Sequence, residues 1–243
     1  MALSLRSSIA KRRSHLNAAL CFRGNMEAYM FSGHKLKRTL SHAYASSFKE
    51  GSIDSYPTKV LERIYELESA LVGLKIAVGY LSTPDLQFKE YSYQELFTYH
   101  SENFISRLTT VEERAKLLAA TVLGSDSLKV ASHKGKSTFE QLIEPHKELK
   151  GAFSTISMEI SEFKSLRNKI VHEASYSNLE LIYTNIADDP VLNFEVSSDL
   201  RDRWQSSLVG VTQEFNSVFS KLFHRIKALL NSLQGIVQCK LKT

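Results

Sequence analysis

Glycine and proline are scarce in this chain, ten and four in 243 residues. Sparse punctuation leaves few turns, so the elements are long, which favours helices over a many-stranded sheet. Cysteine is scarcer still. Cys21 and Cys239 stand near opposite ends with no short spacing between them. That excludes a self-contained zinc motif and makes a reducing cytoplasm the expected compartment. No apolar run approaches the length of a membrane span, and no compact apolar stretch follows the early charges as in a secretory signal. Walker and G-x-G-x-x-G loops are missing, which disfavours enzymes of nucleoside triphosphates or dinucleotides. The eight histidines never fall in H-x-x-x-H or H-E-x-x-H spacing, so neither a metal nor another cofactor is expected.

Acid is what the first 50 residues lack. Residues 1–49 hold nine basic side chains (Arg6, Lys11, Arg12, Arg13, Arg23, Lys35, Lys37, Arg38 and Lys49) against the single acid Glu27, a net of +8 in a chain of net +5. A basic arm on a mildly acidic body suits a polyanion, because phosphate contacts release counterions. A solvated tail without a ligand is the other reading. Lys11, Arg12, Arg13, Lys35, Lys37 and Arg38 are the candidate RNA contacts. The organisation expected is a basic extension over 1–50 and one domain over 51–243, with at most a short helix around 36–48.

What is there is helical periodicity in four long segments. Pro57 opens the first, with Ile64, Leu67, Leu71, Leu74, Val78 and Leu81 on one seam. The second runs from Tyr93 to Leu123, with Phe97, Phe104, Leu108, Val111, Ala115, Leu118 and Val122 on its seam and Gly124 as its stop. The third covers about Gly151 to Ala174, preceded by a short helix near 138–148. The fourth starts at Ser197 or Ser198 and carries Leu200, Trp204, Leu208, Val211, Phe215, Val218, Leu222, Ile226, Leu229 and Leu233. Four such stripes bury one another only by packing helix on helix. The fold class is all-α, an up-and-down bundle of four long helices plus short ones.

One residue breaks the pattern. The third helix's seam reads Phe153, Ile156, Ile160, Phe163, Arg167, Ile170. An unpaired guanidinium is expensive to bury, so Arg167 must meet an anion, an interface or a watery cleft. Beside it runs a stripe of small polar residues, Ser157, Ser161, Ser165, Asn168 and His172. Arg167 and His172 lie about 140° apart around the helix, and only the long arginine can bring them into one site. An ion-pair partner and a helix-capping histidine are the structural readings of the same two residues.

The stretch "LRNKIVHE" resembles the R-x(4–6)-H signature of the HEPN superfamily, and "YHSENFISRLTTVEERAKLL" (99–118) is similar to the second core helix of one bacterial group within it. The resemblance covers about residues 57–235. It implies a helical bundle, commonly a homodimer, acting as a metal-independent ribonuclease in toxin–antitoxin or antiviral defence systems. An antitoxin or regulatory protein is then an expected partner, and no membrane is.

The chemistry is explicit. Cleavage through the 2′-hydroxyl needs a proton acceptor, a proton donor for the 5′-oxygen and positive charge on the phosphorane. Imidazole titrates in the right range, so His172 is the candidate acid/base. Arg167 cannot lose its proton and grips phosphate with a planar fork. Asn168 orients one or the other. His100, Asn103 and Arg107 share a face of the second helix with Glu102 nearby, and Glu173 follows His172. These five are supporting candidates, with a polar network between helices as their structural reading. The alternative function is a non-catalytic module that binds nucleotide, RNA or protein and uses the same residues structurally.

Overall fold

The computed structural model describes residues 31, 33–49, 55–82, 91, 93–125, 135–172, 176, 182, 183, 186 and 197–242. Six helices follow one another: α1 (Lys35–Lys49), α2 (Tyr56–Leu81), α3 (Tyr93–Leu123), α4 (Gly135–Ile143), α5 (Lys147–His172) and α6 (Ser198–Lys240). No strand occurs among the described residues.

Local sequence explains the boundaries. Pro57 sits in the first turn of α2, where a missing N–H costs nothing. Gly124 ends α3 with φ +82°. Its N–H donates to Thr121 O (3.0 Å) and that of Ser125 to Ala120 O (2.9 Å), a Schellman closure that needs the left-handed conformation glycine adopts freely. α4 stops at Ile143, ahead of Pro145. A proline disfavours the helical conformation of the residue before it. The expected short helix at 138–148 therefore ends early, and residues 147–150 belong to α5.

Cross-helix contacts set the directions. Tyr56 at the start of α2 donates its hydroxyl to Val122 O at the end of α3 (3.1 Å). At the other end Tyr80 of α2 stacks on His100 of α3 (4.3 Å). Phe104 of α3 meets Phe163 of α5 edge-on (6.4 Å), and Phe163 meets Phe215 of α6 (6.0 Å). Asn216 reaches Ser82 Oγ (3.4 Å) while Lys240 covers the Tyr56 ring (5.5 Å). Each long helix thus runs against its predecessor, up-down-up-down.

The seams of α2 and α3 are buried throughout. Those of α5 and α6 are not. Phe163 is the last buried residue of α5 and Leu208 the first of α6, so Arg167, Ile170 and Trp204 are half-buried and Leu200 is exposed. The expected seam of α6 starts two turns later than its pattern.

The division at residue 50 does not separate extension from core. Phe31, Leu36 and Leu40 are buried in the bundle core, and α1 packs on α2 and α6. Lys37 is 6% exposed. Its ammonium is bound to Glu68 Oε2 (2.6 Å), whose other oxygen accepts the Phe31 N–H (2.8 Å). Lys37 is a buried structural cation, a correction to its place among the RNA contacts.

Candidate functional site

The site forms where α5 outruns the core. An aromatic trio closes the bundle just beneath it: Phe104 stacks on Phe215 (4.4 Å, 13°) and both meet Phe163 at steep angles. Such contacts add about 0.5–1.5 kcal/mol each beyond burial, which gives α5 a fixed footing one turn before Arg167.

Arg167 lies half-buried on the seam. Its Nη1 donates to Asn168 Oδ1 (3.3 Å), and its Nε is buried with no acceptor among the described residues. Asn168 and His172 are exposed. The structure brings Arg167 and Asn168 together and leaves His172 one turn on, open to solvent.

The stripe of small residues divides. Ser161 and Ser165 are exposed, beside Met158 at 71% exposure. Ser157 is turned toward α3, donating to Glu112 Oε1 (3.2 Å) and accepting from Lys164 Nζ (3.1 Å). Glu112 is buried between Lys116 (2.9 Å) and Lys164 (2.8 Å). Burial pushes its carboxyl up, but the lysine hydrogen bonds and charges outweigh that and hold it below the ordinary glutamate value. Pattern reading missed this cluster, although it carried a signal: Glu112 stands between Leu108 and Ala115 at spacings of four and three, an acid on a seam.

The supporting candidates separate onto two sides of α3. His100 is 4% exposed and sandwiched by Tyr80, with Tyr99 edge-on at 5.0 Å. Arg107 Nε donates to Asn103 Oδ1 (2.7 Å). Its guanidinium lies against Gly73 of α2, where an added Cβ would come within 2.9 Å of Cζ. These three join α2 to α3. Glu102 faces the other way and accepts the Tyr176 N–H (2.7 Å), four residues past His172. Glu173, Lys11, Arg12 and Arg13 lie outside the described residues. Lys35 and Arg38 are exposed on α1.

A HEPN family model matches this helical bundle and places the chain in the HEPN superfamily, a class of helical modules that act as nucleases or bind nucleotides. Within it the chain belongs to the Cthe2314-like HEPN family, whose model matches residues 34–236. No curated protein and no solved structure matches the chain. Among the described residues no helix is long and apolar enough to cross a membrane.

Proposed function

We propose that the protein is a metal-independent endoribonuclease of the toxin or antiviral-defence kind. The observation that carries this reading is the Arg167–Asn168 pair beside an exposed His172 where α5 leaves the core. His172 acts as acid/base: it takes the proton of the attacking 2′-hydroxyl or returns one to the leaving 5′-oxygen. Arg167 offers its guanidinium to the phosphorane, and the buried Nε without an acceptor is a donor that a phosphate oxygen would satisfy. Asn168, bonded to Nη1, steadies the fork. The supply of acid, base and cation by these side chains removes the need for a metal ion.

Two proton transfers and one histidine per helix favour a shared site in a homodimer. Ser161, Ser165 and Met158 form an exposed strip on which a second α5 can lie close. Val171, Leu200 and Val209, 51%, 38% and 53% exposed, add apolar surface elsewhere on α5 and α6. Mixed dimers with Arg167→Ala in one chain and His172→Ala in the other should recover a fraction of the rate.

The deciding experiment incubates purified protein with labelled RNA in excess chelator. Cleavage should persist and leave 2′,3′-cyclic phosphate or 2′-phosphate ends. Strict dependence on Mg²⁺ or Mn²⁺, or free 3′-hydroxyl ends, would rule the reading out.

A further inference from the structure

Several cations of the bundle are spent on carboxylates. Arg63 and Arg114 hold Glu66, Lys116 and Lys164 hold Glu112, Lys150 holds Glu144 and Arg225 holds Glu159. One face has cations but no acid on the helix stretches that form it. α1 contains no acid, and neither does α6 from Phe215 to its end.

The two helices lie side by side and run parallel. Phe31 stacks on Phe223 (5.9 Å), and His34 Nε2 donates to Asn231 Oδ1 (3.0 Å). Phe31 and His34, which lead into α1, meet α6 in ascending order, and α1 ends at Lys49, seven residues before Tyr56, which Lys240 near the end of α6 covers. The direction at His34 is fixed by its other nitrogen, since Nδ1 accepts the Leu36 N–H (3.2 Å). One turn beyond His34 on α1 stands Arg38, exposed. On α6 and just past its end, His224, Lys227, Asn231, Gly235, Gln238 and Lys242 fall at spacings of three and four, a continuous stripe of basic residues, amides and one glycine. A Cβ at Gly235 would meet nothing within 4 Å, so the stripe is open there. Among the described residues Lys35, Arg38 and Lys227 form no ion pair; Lys227 lies over the Phe223 ring at 4.9 Å. The neighbouring acids of α2 are largely engaged, Glu68 by Lys37 and Glu66 by the two arginines, leaving Glu62 exposed.

We infer that the α1–α6 face, centred on Arg38 and Lys227, is a second anion-binding surface that takes the phosphate backbone of a nucleic acid strand. Unpaired exposed cations, with no carboxylate on α1 or on α6 beyond Glu214 to compete, gain free energy by displacing counterions from a polyanion. Burial lowers the His34 imidazole, its Asn231 bond raises it, and Lys227 adds a smaller lowering. Lys227 lies roughly 30 Å along the bundle from His172 at 1.5 Å per residue, so the face is separate from the motif. The choice of nucleic acid over other polyanions rests on the proposed RNA substrate, while the face itself rests on geometry alone.

The test uses the full chain and a labelled 2′-O-methyl RNA strand, which has no 2′-hydroxyl to react, followed by fluorescence anisotropy across salt. A double variant, Arg38→Gln with Lys227→Gln, removes two exposed charges. Its log–log salt slope should fall by about 1.4, with binding roughly 25-fold weaker at about 0.1 M salt. Lys150→Gln, on a cation already paired, should bind like the unaltered chain. A double variant matching the unaltered chain in slope and affinity would overturn the inference. Preferential, Arg38- and Lys227-dependent binding to phosphatidylserine vesicles over the strand would overturn it too. Because the strand cannot be cleaved, loss of the catalytic reading leaves this result standing.

Discussion

The two ends of the bundle are built from the same helices and differ in what covers them. At one end α2 begins, α3 stops and α6 finishes: Val237 is buried, Lys240 lies over Tyr56, and Tyr56 is bonded to Val122 O. Burial there pushes the Tyr56 phenol up to about 12. At the other end α5 and α6 continue past their last buried residues, Phe163 and Leu208, with Val171, Leu200 and Val209 facing water. The closed end uses its side chains to hold helices together. The open end carries exposed apolar residues, and Arg167, Asn168 and His172 lie there.

Four substitutions sharpen that contrast. The largest effect is expected for His172→Ala, an exposed residue at the open end: RNA cleavage should drop by roughly 10²–10⁴-fold, the usual share of acid–base catalysis, with an unchanged melting temperature. Equal cleavage rates for the two proteins would make the histidine structural. Phe104→Ala, just inside the core, should cost about 4 kcal/mol in urea denaturation, because a buried ring is lost and its partners collapse only in part. A loss below about 1 kcal/mol would mean that the trio beneath the motif is loosely packed.

Glu112→Gln comes next, with an expected cost of about 2 kcal/mol from two lysines losing a buried charge partner. The folded carboxyl lies below its ordinary value of 4.5, so its contribution is present above that value and fades as pH falls through the folded one. The gap between variant and unaltered chain should therefore narrow in acid; a gap independent of pH would contradict the assignment. The smallest effect on stability is reserved for Arg167→Met. Removing a buried donor that has no acceptor should leave stability equal or higher by about 1 kcal/mol, while cleavage is lost. Marked destabilisation would show that the arginine holds the fold.

The four seams were legible because burial follows period, and Tyr93–Leu123 emerges with both ends where Gly124 and the pattern place them. Arg167 was legible as an exception for the same reason. Three features were not. A seam records which residues share a face, not how far the neighbouring helix reaches, so Leu200 and Trp204 look like core in the pattern and are not. Lys37 reads as one more charge of a basic arm because its partner, Glu68, is 31 residues away on another helix. His100 and Glu102 are close in sequence, yet 200° of helical rotation sends one to α2 and the other toward the end of α5.

The bond from the Tyr176 N–H to Glu102 has a consequence in time rather than in space. The last turn of a helix normally frays, opening and closing with free energies near zero. Here the chain is held on both sides of the motif, by Phe163 in the core and by the Glu102 carboxylate beyond His172. Opening that turn must wait for the tether to release, so the Tyr176 amide should exchange with deuterium slowly. Glu102→Ala should speed that exchange and bring the amides of 168–172 with it, while leaving those of α2 unmoved. The rate at which His172 keeps or loses its place would then be set by an acid on a different helix.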